Sequence, residues 1–366
     1  MAVISFARGI PAPECLPVEE LADCARAAIQ SDGKAVLSYG PGGGYAPLRE
    51  WIAARHGVEP ARVVVTSGSL QGFVFLAEKL VRPGSRVLVE APTYDRPLKI
   101  LARLGAEVVG LPMDDDGLVP DALEQALADG AKPAFLYTIA TFQNPSGRTL
   151  SAERRARVAE IARAHQLLVL EDDPYGLVRY EGEPLPSIFE LEGGTNVAYA
   201  SSFSKTVAPG VRVGYFVLPP ELAATIEKFA VDTYISPPFM TQATVHEFLR
   251  RGNFEPNLER VRGLLRVRRD AMLDALEEHM PEGASWTRPA GGYFVWLDVP
   301  HEAPTLARAE EAGITFVAGT DFFPGGRGGG RSLRLAFSFV SPEEIADGVS
   351  RLAPLLRGAA APATTV

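Results

Sequence analysis

Between Trp51 and Tyr215 the chain repeats one rhythm, in which short apolar runs rich in β-branched residues are separated by stretches with helical spacing. The runs are Val63-Val64-Val65, Val87-Leu88-Val89, Val108-Val109, Phe135-Leu136-Tyr137, Leu168-Val169-Leu170 and Val197-Ala198-Tyr199, and Val213 to Val217 reads as one more short strand. Runs that stay apolar instead of alternating belong to strands covered on both faces. Their alternation with helices predicts an α/β fold with a mostly parallel, seven-stranded sheet flanked by helices. Turn chemistry agrees with the spacing. Arg82-Pro83-Gly84-Ser85 closes a helix expected over Leu70 to Val81, and Ser151 with Glu153 and Arg154 opens one running to His165.

The last third changes character. A charged amphipathic stretch from about Phe254 to His279 predicts one long helix bridging two lobes. Strands Tyr293 to Val299 and Leu333 to Phe337, a helix near Leu306 and a closing helix from Pro342 to Leu356 then make a small α+β domain. The expected organisation is an N-terminal arm and small-domain segment over 1–40, a large domain over 41–265 and a small domain over 266–366. The first forty residues cannot form a core alone and are expected to pack on the small lobe or on a partner. Gly325 to Gly330 reads as a flexible loop and the tail Gly358 to Val366 as disordered. No internal repeat is visible.

Composition excludes several classes of function. The 366 residues, 46% of them hydrophobic, suffice for a large core. A formal net charge of -9 with scattered Lys and Arg leaves no basic face for a nucleic acid. Cys15 and Cys24 are too few for a disulfide framework and lack companions at metal-ligand spacing, so buried small residues and no metal are expected. Neither a bilayer-length apolar segment nor a signal-peptide pattern is found, so no membrane partner and a cytoplasmic location are expected.

Five segments carry candidate chemistry. Ser201-Ser202-Phe203-Ser204-Lys205 follows a strand, with Arg212 seven residues beyond the lysine. A lysine presented from a largely apolar site can lose its proton and attack an aldehyde, with a solvated loop lysine as the plainer reading. Glu171-Asp172-Asp173-Pro174-Tyr175 ends another apolar strand, the place where open α/β sheets hold ligands, although three acids in a row also make an ordinary solvated turn. Phe142-Gln143-Asn144-Pro145-Ser146-Gly147 is by itself a common turn. Thr66-Ser67-Gly68-Ser69-Leu70-Gln71-Gly72 leads a strand into a helix whose free N–H groups would attract an anion, with helix capping by Ser69 as the plainer reading. Arg334 stands in the apolar strand Ser332-Leu333-Arg334-Leu335-Ala336-Phe337 and needs an anion, either a ligand carboxylate or an internal acid.

Together these motifs, spread from Ile4 to about Leu356, resemble the fold-type I, pyridoxal-phosphate (PLP)-dependent aminotransferases of class I/II, and within them the 2-aminoadipate and kynurenine aminotransferase group. The resemblance implies that Lys205 holds the cofactor covalently and that Asp172 keeps its pyridine nitrogen protonated, which makes the ring an electron sink. It further implies that Asn144 and Tyr175 meet the ring's phenolate oxygen and that Tyr94 stacks on the ring. Ser69, the Leu70 amide, Ser202, Ser204 and Arg212 would hold the phosphate. On the substrate side it places Arg334 on the α-carboxylate, with Asn144, Gly9 and Arg8 nearby. Tyr39, in Leu37-Ser38-Tyr39-Gly40, would reach the phosphate of the neighbouring subunit, which implies a homodimer with shared active sites.

Relatives often carry Gly-Gly-x-Pro where this chain has Arg8-Gly9-Ile10-Pro11. Arg8 is therefore a candidate partner for an acidic substrate side chain, with plain solvent exposure as the equal alternative. The implied reaction moves an amino group from an L-amino acid (acidic, aromatic or aliphatic) to a 2-oxo acid, 2-oxoglutarate foremost, by ping-pong chemistry. The same scaffold also serves β-lyases, decarboxylases and oxidative enzymes. A ligand-sensing domain of a transcription regulator is the least expected, since no helix-turn-helix precedes the Arg8 strip.

Overall fold

All seven apolar runs fall in strands; six are buried on both faces, and Val108-Val109, near the sheet edge, is half-buried. The computed structural model describes residues 3–128, 130 and 132–357, so the Gly358 to Val366 tail lies outside the described residues. Strand β1 (Ile4–Ser5) and helices α1 (Val18–Val36) and α2 (Ala46–His56) come first. Next are β2 (Val63–Thr66), α3 (Ser69–Leu80), β3 (Arg86–Ala91), α4 (Asp95–Arg103), β4 (Glu107–Asp114), β5 (Gly117–Leu118) and α5 (Pro120–Ala128). They are followed by β6 (Leu136–Thr138), α6 (Ala152–His165), β7 (Val169–Asp172), α7 (Ile188–Glu192), β8 (Val197–Ser202) and β9 (Gly214–Val217). Helices α8 (Pro220–Tyr234), α9 (Phe239–Arg250) and α10 (Phe254–His279) lead to β10 (Ser285–Trp286), β11 (Phe294–Asp298), α11 (Leu306–Glu311), β12 (Ile314–Thr315), β13 (Val317–Ala318), β14 (Ser332–Ala336) and α12 (Pro342–Leu356).

The large sheet has the order β2-β9-β8-β7-β6-β3-β4-β5. Strands β8, β7, β6, β3 and β4 run parallel, and β9, β2 and β5 are joined by antiparallel pairs. The two-residue β5 extends the seven expected strands by a short hairpin at the edge. Along one strand alternate residues enter opposite cores: Val63 and Val65 join one apolar cluster, and Val64 joins the other.

Four strands in the order β10-β11-β14-β13, all antiparallel, form the second sheet. Helix α10, at about 1.5 Å per residue, runs ~39 Å. Its Leu258 packs in a core of the large sheet, its Val261 and Leu265 in a seam with Phe142, Tyr175 and Tyr293, and its Met272 and Leu276 in the small-lobe core. The expectation of a bridging helix holds.

The arm divides between the lobes. Strand β1 pairs in parallel with β12, and Ala336 N–H donates to Phe6 O at 2.8 Å, which attaches residues 4–10 to the small lobe. Helix α1, in contrast, packs along α9 on the large lobe, a helix that its sparse apolar positions did not announce. Cys15 and Cys24 are free and buried, as expected. The Gly325–Gly330 run is not a loose loop but a set of tight turns. Gly325, Gly326, Gly328 and Gly329 all have positive φ, and a Cβ on Gly329 would lie 2.6 Å from the Gly319 carbonyl carbon. Among the described residues, no helix is long and apolar enough to cross a membrane.

One glycine joins the sheet to the site. At the start of β9, a Cβ on Gly214 would lie 2.4 Å from Ser69 N and 2.5 Å from Gly68 C. Those are backbone atoms at the start of α3, which cannot swing aside. Gly214→Ala is expected to cost about 1–3 kcal/mol through overpacking, read as a lower urea midpoint at unchanged slope. A stability equal to that of the parent protein would show that α3 is not held this closely.

Candidate active site

The carboxyl ends of β3, β6, β7 and β8 open on one cavity of roughly 460 Å³, closed on the other side by residues 7–10, Phe294 and Arg334. Arg8, Gly9, Ser69, Leu70, Tyr94, Asn144, Asp172, Tyr175, Ser202, Ser204, Lys205, Arg212 and Arg334 all line it. Tyr39 does not; it stands elsewhere on the surface, 82% exposed.

Strand alternation selects one of the three consecutive acids. Glu171 points away and accepts from the backbone N–H groups of Ile188 (3.1 Å) and Phe189 (2.9 Å) at the start of α7. Asp173 is likewise committed, to Gly176 N–H at 2.7 Å and the Tyr199 hydroxyl at 2.9 Å. Asp172 alone lines the cavity. Its Oδ2 accepts from the Tyr137 hydroxyl at 2.9 Å, while Oδ1 is buried without a partner. Burial pushes its carboxyl up to about 7. Sequence reasoning missed Tyr137, which closed an apolar run and read as core. The available signal was a hydroxyl on a fully buried strand, since such a group requires a partner.

Lys205 sits in the turn after β8. That turn is held by the buried side chains of Phe203 and Val207 and by Asn257 of α10, which donates to Thr206 O at 2.7 Å. Its Nζ donates to Gly9 O at 2.6 Å and lies 5.0 Å from the centre of the Tyr293 ring. Burial first, then the charges of Arg334 and Arg212, push the amine down to about 8.

Arg334 enters from β14. Its Nη1 donates to Asn144 Oδ1 at 3.0 Å and its Nη2 to Ala7 O at 2.9 Å, and Nε has no partner. Its guanidinium lies 4.3 Å from the Phe294 ring centre and 5.1 Å from that of Phe322. Among the described residues no carboxylate lies within ion-pair distance of it, so the internal-acid alternative is not realised. Burial lowers its pKa.

Asn144 and Tyr94 sit on loops locked to each other. Gln143 Nε2 donates to Glu90 Oε2 at 3.0 Å and to Pro92 O at 2.7 Å, and Gln143 Oε1 accepts from Ser146 N–H at 2.9 Å. Glu90 also accepts from Ile139 N–H at 3.1 Å, and burial pushes its carboxyl up to about 7.

The opposite wall is built for an anion. Helix α3 starts at Ser69 and no side chain caps it, which corrects the capping role considered for Ser69: Gly68, at φ 82°, holds the cap position. Arg212 Nη2 donates to Ser67 O at 2.8 Å, and a Cβ on Gly68 would lie 2.4 Å from that nitrogen. Ser202 Oγ donates to Ser204 Oγ at 2.9 Å beside it. Uncapped N–H groups, two hydroxyls and an arginine make a phosphate-type cradle.

The family model described as aminotransferase class I and II matches residues 9–352. The aromatic-amino-acid aminotransferase 1 of Thermococcus litoralis is 35% identical, over 97% of this chain and 88% of its own. The alpha-aminoadipate aminotransferase of Thermus thermophilus, solved with N-(5'-phosphopyridoxyl)-L-leucine, superposes with a TM-score of 0.92 at 38% identity, over 97% of this chain and 92% of its own. The Pyrococcus horikoshii kynurenine aminotransferase superposes with a TM-score of 0.93 at 34% identity, over 97% and 91% of the two chains.

These residues fit pyridoxal 5'-phosphate. The orphaned Asp172 Oδ1 would meet a protonated pyridine nitrogen, the cradle at α3 would take a phosphate, and Lys205 presents an amine of lowered pKa. Tyr137→Phe would leave Asp172 with neither oxygen bonded, so its carboxyl would titrate higher and pair less readily with a pyridinium. We expect PLP to dissociate about tenfold more readily from this variant, measured by equilibrium dialysis. Unchanged retention would show that Tyr137 is merely core.

Proposed function

The chain belongs to the class I and II aminotransferases, with pyridoxal 5'-phosphate as cofactor, and from that premise we propose that its cavity passes the amino group of an L-amino acid to a 2-oxo acid, 2-oxoglutarate foremost. The two half-reactions would follow each other at one site in ping-pong order. The observation that carries this reading is the shared cavity itself, in which Lys205, the free oxygen of Asp172 and the unpaired Arg334 line one space. When bound, the cofactor supplies an exchangeable carbonyl and an electron-withdrawing ring.

The chain's residues do the rest. Arg334 binds the substrate α-carboxylate beside its two phenyl rings, and Asn144, already in contact with it, orients the reacting end. Asp172 would hold a proton at the ring nitrogen, whose positive charge favours the ionised form of a carboxyl that burial raises to about 7. Arg212, Ser69, the Leu70 amide, Ser202 and Ser204 bind phosphate, and Tyr94 covers one face. Tyr175 meets the phenolate oxygen. Lys205, whose burial eases the loss of its own proton, moves a proton off the substrate α-carbon. Donors of the acidic, aromatic and aliphatic classes all fall within this reading, supported by relatives named for aminoadipate, aromatic amino acids and kynurenine. The buried free cysteines support the cytoplasm as its location.

A homodimer completes the proposal. Leu37, Tyr39, Val231, Ile235 and Met240 are exposed apolar residues gathered where the turn after α1 crosses the α8–α9 junction, with Gly40 N–H bound to Ser236 Oγ at 3.0 Å. A second copy covering this patch would bring Tyr39 to its neighbour's phosphate cradle.

Two outcomes test the reading. Only the neutral form of Lys205 attacks a carbonyl, and its pKa in the free chain is about 8. Capture of PLP by the apoprotein, followed by near-visible absorbance, should therefore slow roughly tenfold for each pH unit below that value and level off above it. Lys205→Ala should make no glutamate from 2-oxoglutarate with any donor, and turnover by that variant would end the proposal. For the shared site, Tyr39→Ala should lose cofactor affinity although its side chain is exposed in its own chain. Mixing it with Lys205→Ala should restore one tight site per dimer, and an absence of restoration would confine each site to one subunit.

A further inference from the structure

Two arginines that line the cavity have no part in the reaction just described. Five cations line it (Arg8, Arg96, Lys205, Arg212 and Arg334) against two carboxylates, Asp95 and Asp172. In the proposed reading Asp172 answers the ring nitrogen, Arg212 the phosphate and Arg334 the α-carboxylate, and Lys205 reacts as an amine. Arg8 and Arg96 remain. Asp95 offsets Arg96 only in part, because its Oδ2 is shared between Lys99 Nζ at 2.9 Å and Arg96 Nε at 3.7 Å. A guanidinium on the cavity wall that neither the cofactor nor the α-carboxylate engages suits a substrate with a second carboxylate on its side chain.

The two arginines are not equivalent. Arg8 belongs to the irregular strip after β1, and its guanidinium is engaged 5.3 Å from the centre of the Phe339 ring. Arg96 is the second residue of α4, two positions after Tyr94. Tyr94 in turn is fixed by the Pro92–Gln143–Glu90 contacts that also fix Asn144. Arg96 thus rides on the same locked loop as the tyrosine expected to cover the ring, at the positive end of a helix. It lines the cavity together with Tyr94 and Arg334. Its side chain is 58% exposed, so its contact with Asp95 is open to solvent and weak enough to yield to a ligand.

We infer that Arg96 binds the side-chain carboxylate of dicarboxylic substrates, an assignment that rests on the aminotransferase reading and names the residue that sets its substrate class. Donor and acceptor occupy the same cavity in turn, so one guanidinium would serve a dicarboxylic amino acid in the first half-reaction and a dicarboxylic 2-oxo acid in the second. A monocarboxylic partner would use Arg334 alone and gain nothing from Arg96. The arrangement raises affinity for diacids without excluding apolar side chains, because an exposed arginine can fold back into solvent.

The test uses the PLP-loaded protein and two unreactive probes, glutarate and butyrate, with binding measured by calorimetry. The parent protein should bind glutarate more tightly than butyrate. Arg96→Gln should weaken glutarate by about ten- to a hundredfold, the loss of a charge-assisted hydrogen-bonded pair, and leave butyrate unchanged, with Arg96→Lys in between. In steady state, kcat/KM for 2-oxoglutarate should fall by a similar factor while that for pyruvate holds. Glutarate binding unchanged in Arg96→Gln overturns the assignment, as does a loss that appears only in Arg8→Ala. The underlying reading is checked separately, by Arg334→Ala losing both probes and by a borohydride-fixed adduct at Lys205. If those two hold while Arg96→Gln binds like the parent, the assignment alone falls; if they fail, both fall.

Discussion

Charge taken out of water without an internal partner is the constraint on which this molecule turns. Arg334 lies against two phenyl rings with one nitrogen unbonded and, among the described residues, no carboxylate in reach, and Asp172 has one oxygen satisfied and one bare. A folded chain tolerates such groups only when stability elsewhere offsets them, and each costs on the order of 1–3 kcal/mol or more. The two bare atoms open on the same cavity as a lysine driven toward neutrality, so their cost is local and their complement is one ligand set. An anion at one end and a protonated ring nitrogen at the other would satisfy what the protein leaves open.

The fold supplies the rigidity that this requires. Parallel strands end together, so the segments after β3, β6, β7 and β8 meet at one edge of the sheet, and the twofold alternation of β7 turns Asp172 inward while Glu171 and Asp173 tie down neighbouring loops. The network of Glu90, Gln143 and Pro92 couples the Tyr94 loop to the Asn144 loop, and Asn144 passes the constraint on to Arg334 across the lobes. Residues 7–10 close the space as part of the small lobe, where Gly9 O accepts from Lys205 and Ala7 O from Arg334. Two lobes therefore share one cavity through a few polar contacts over an apolar seam.

Much of this was legible in the chain. The seven strands, α10 and α12 could be read because continuous apolar runs and long amphipathic periods are local signals of burial. Site residues such as Lys205, Asp172 and Arg334 stood out because a charged group inside an apolar run has no cheap structural explanation. Tyr137 escaped because a tyrosine in a buried strand looks like core until its hydroxyl partner is known. Helix α1 escaped because its buried residues, Cys24, Ala28 and Val36, are few and mostly small, and it is stabilised by lying along α9. The Gly325–Gly330 run looked loose because glycine permits both freedom and tight turns, and only the approach of Gly319 and Phe323 distinguishes them.

By itself, then, the order of residues determined which segments must be buried, which polar groups would be costly there, and so the sheet and the chemistry at its edge. Tertiary structure alone decided which oxygen of Asp172 stays free, that no acid among the described residues reaches Arg334, that Tyr39 stands outside its own chain's cavity and that Arg96 lines it. Hydrophobic burial is written in local periodicity, whereas the pairing of charges depends on distances between residues hundreds of positions apart, and those exist only once the chain has closed on itself.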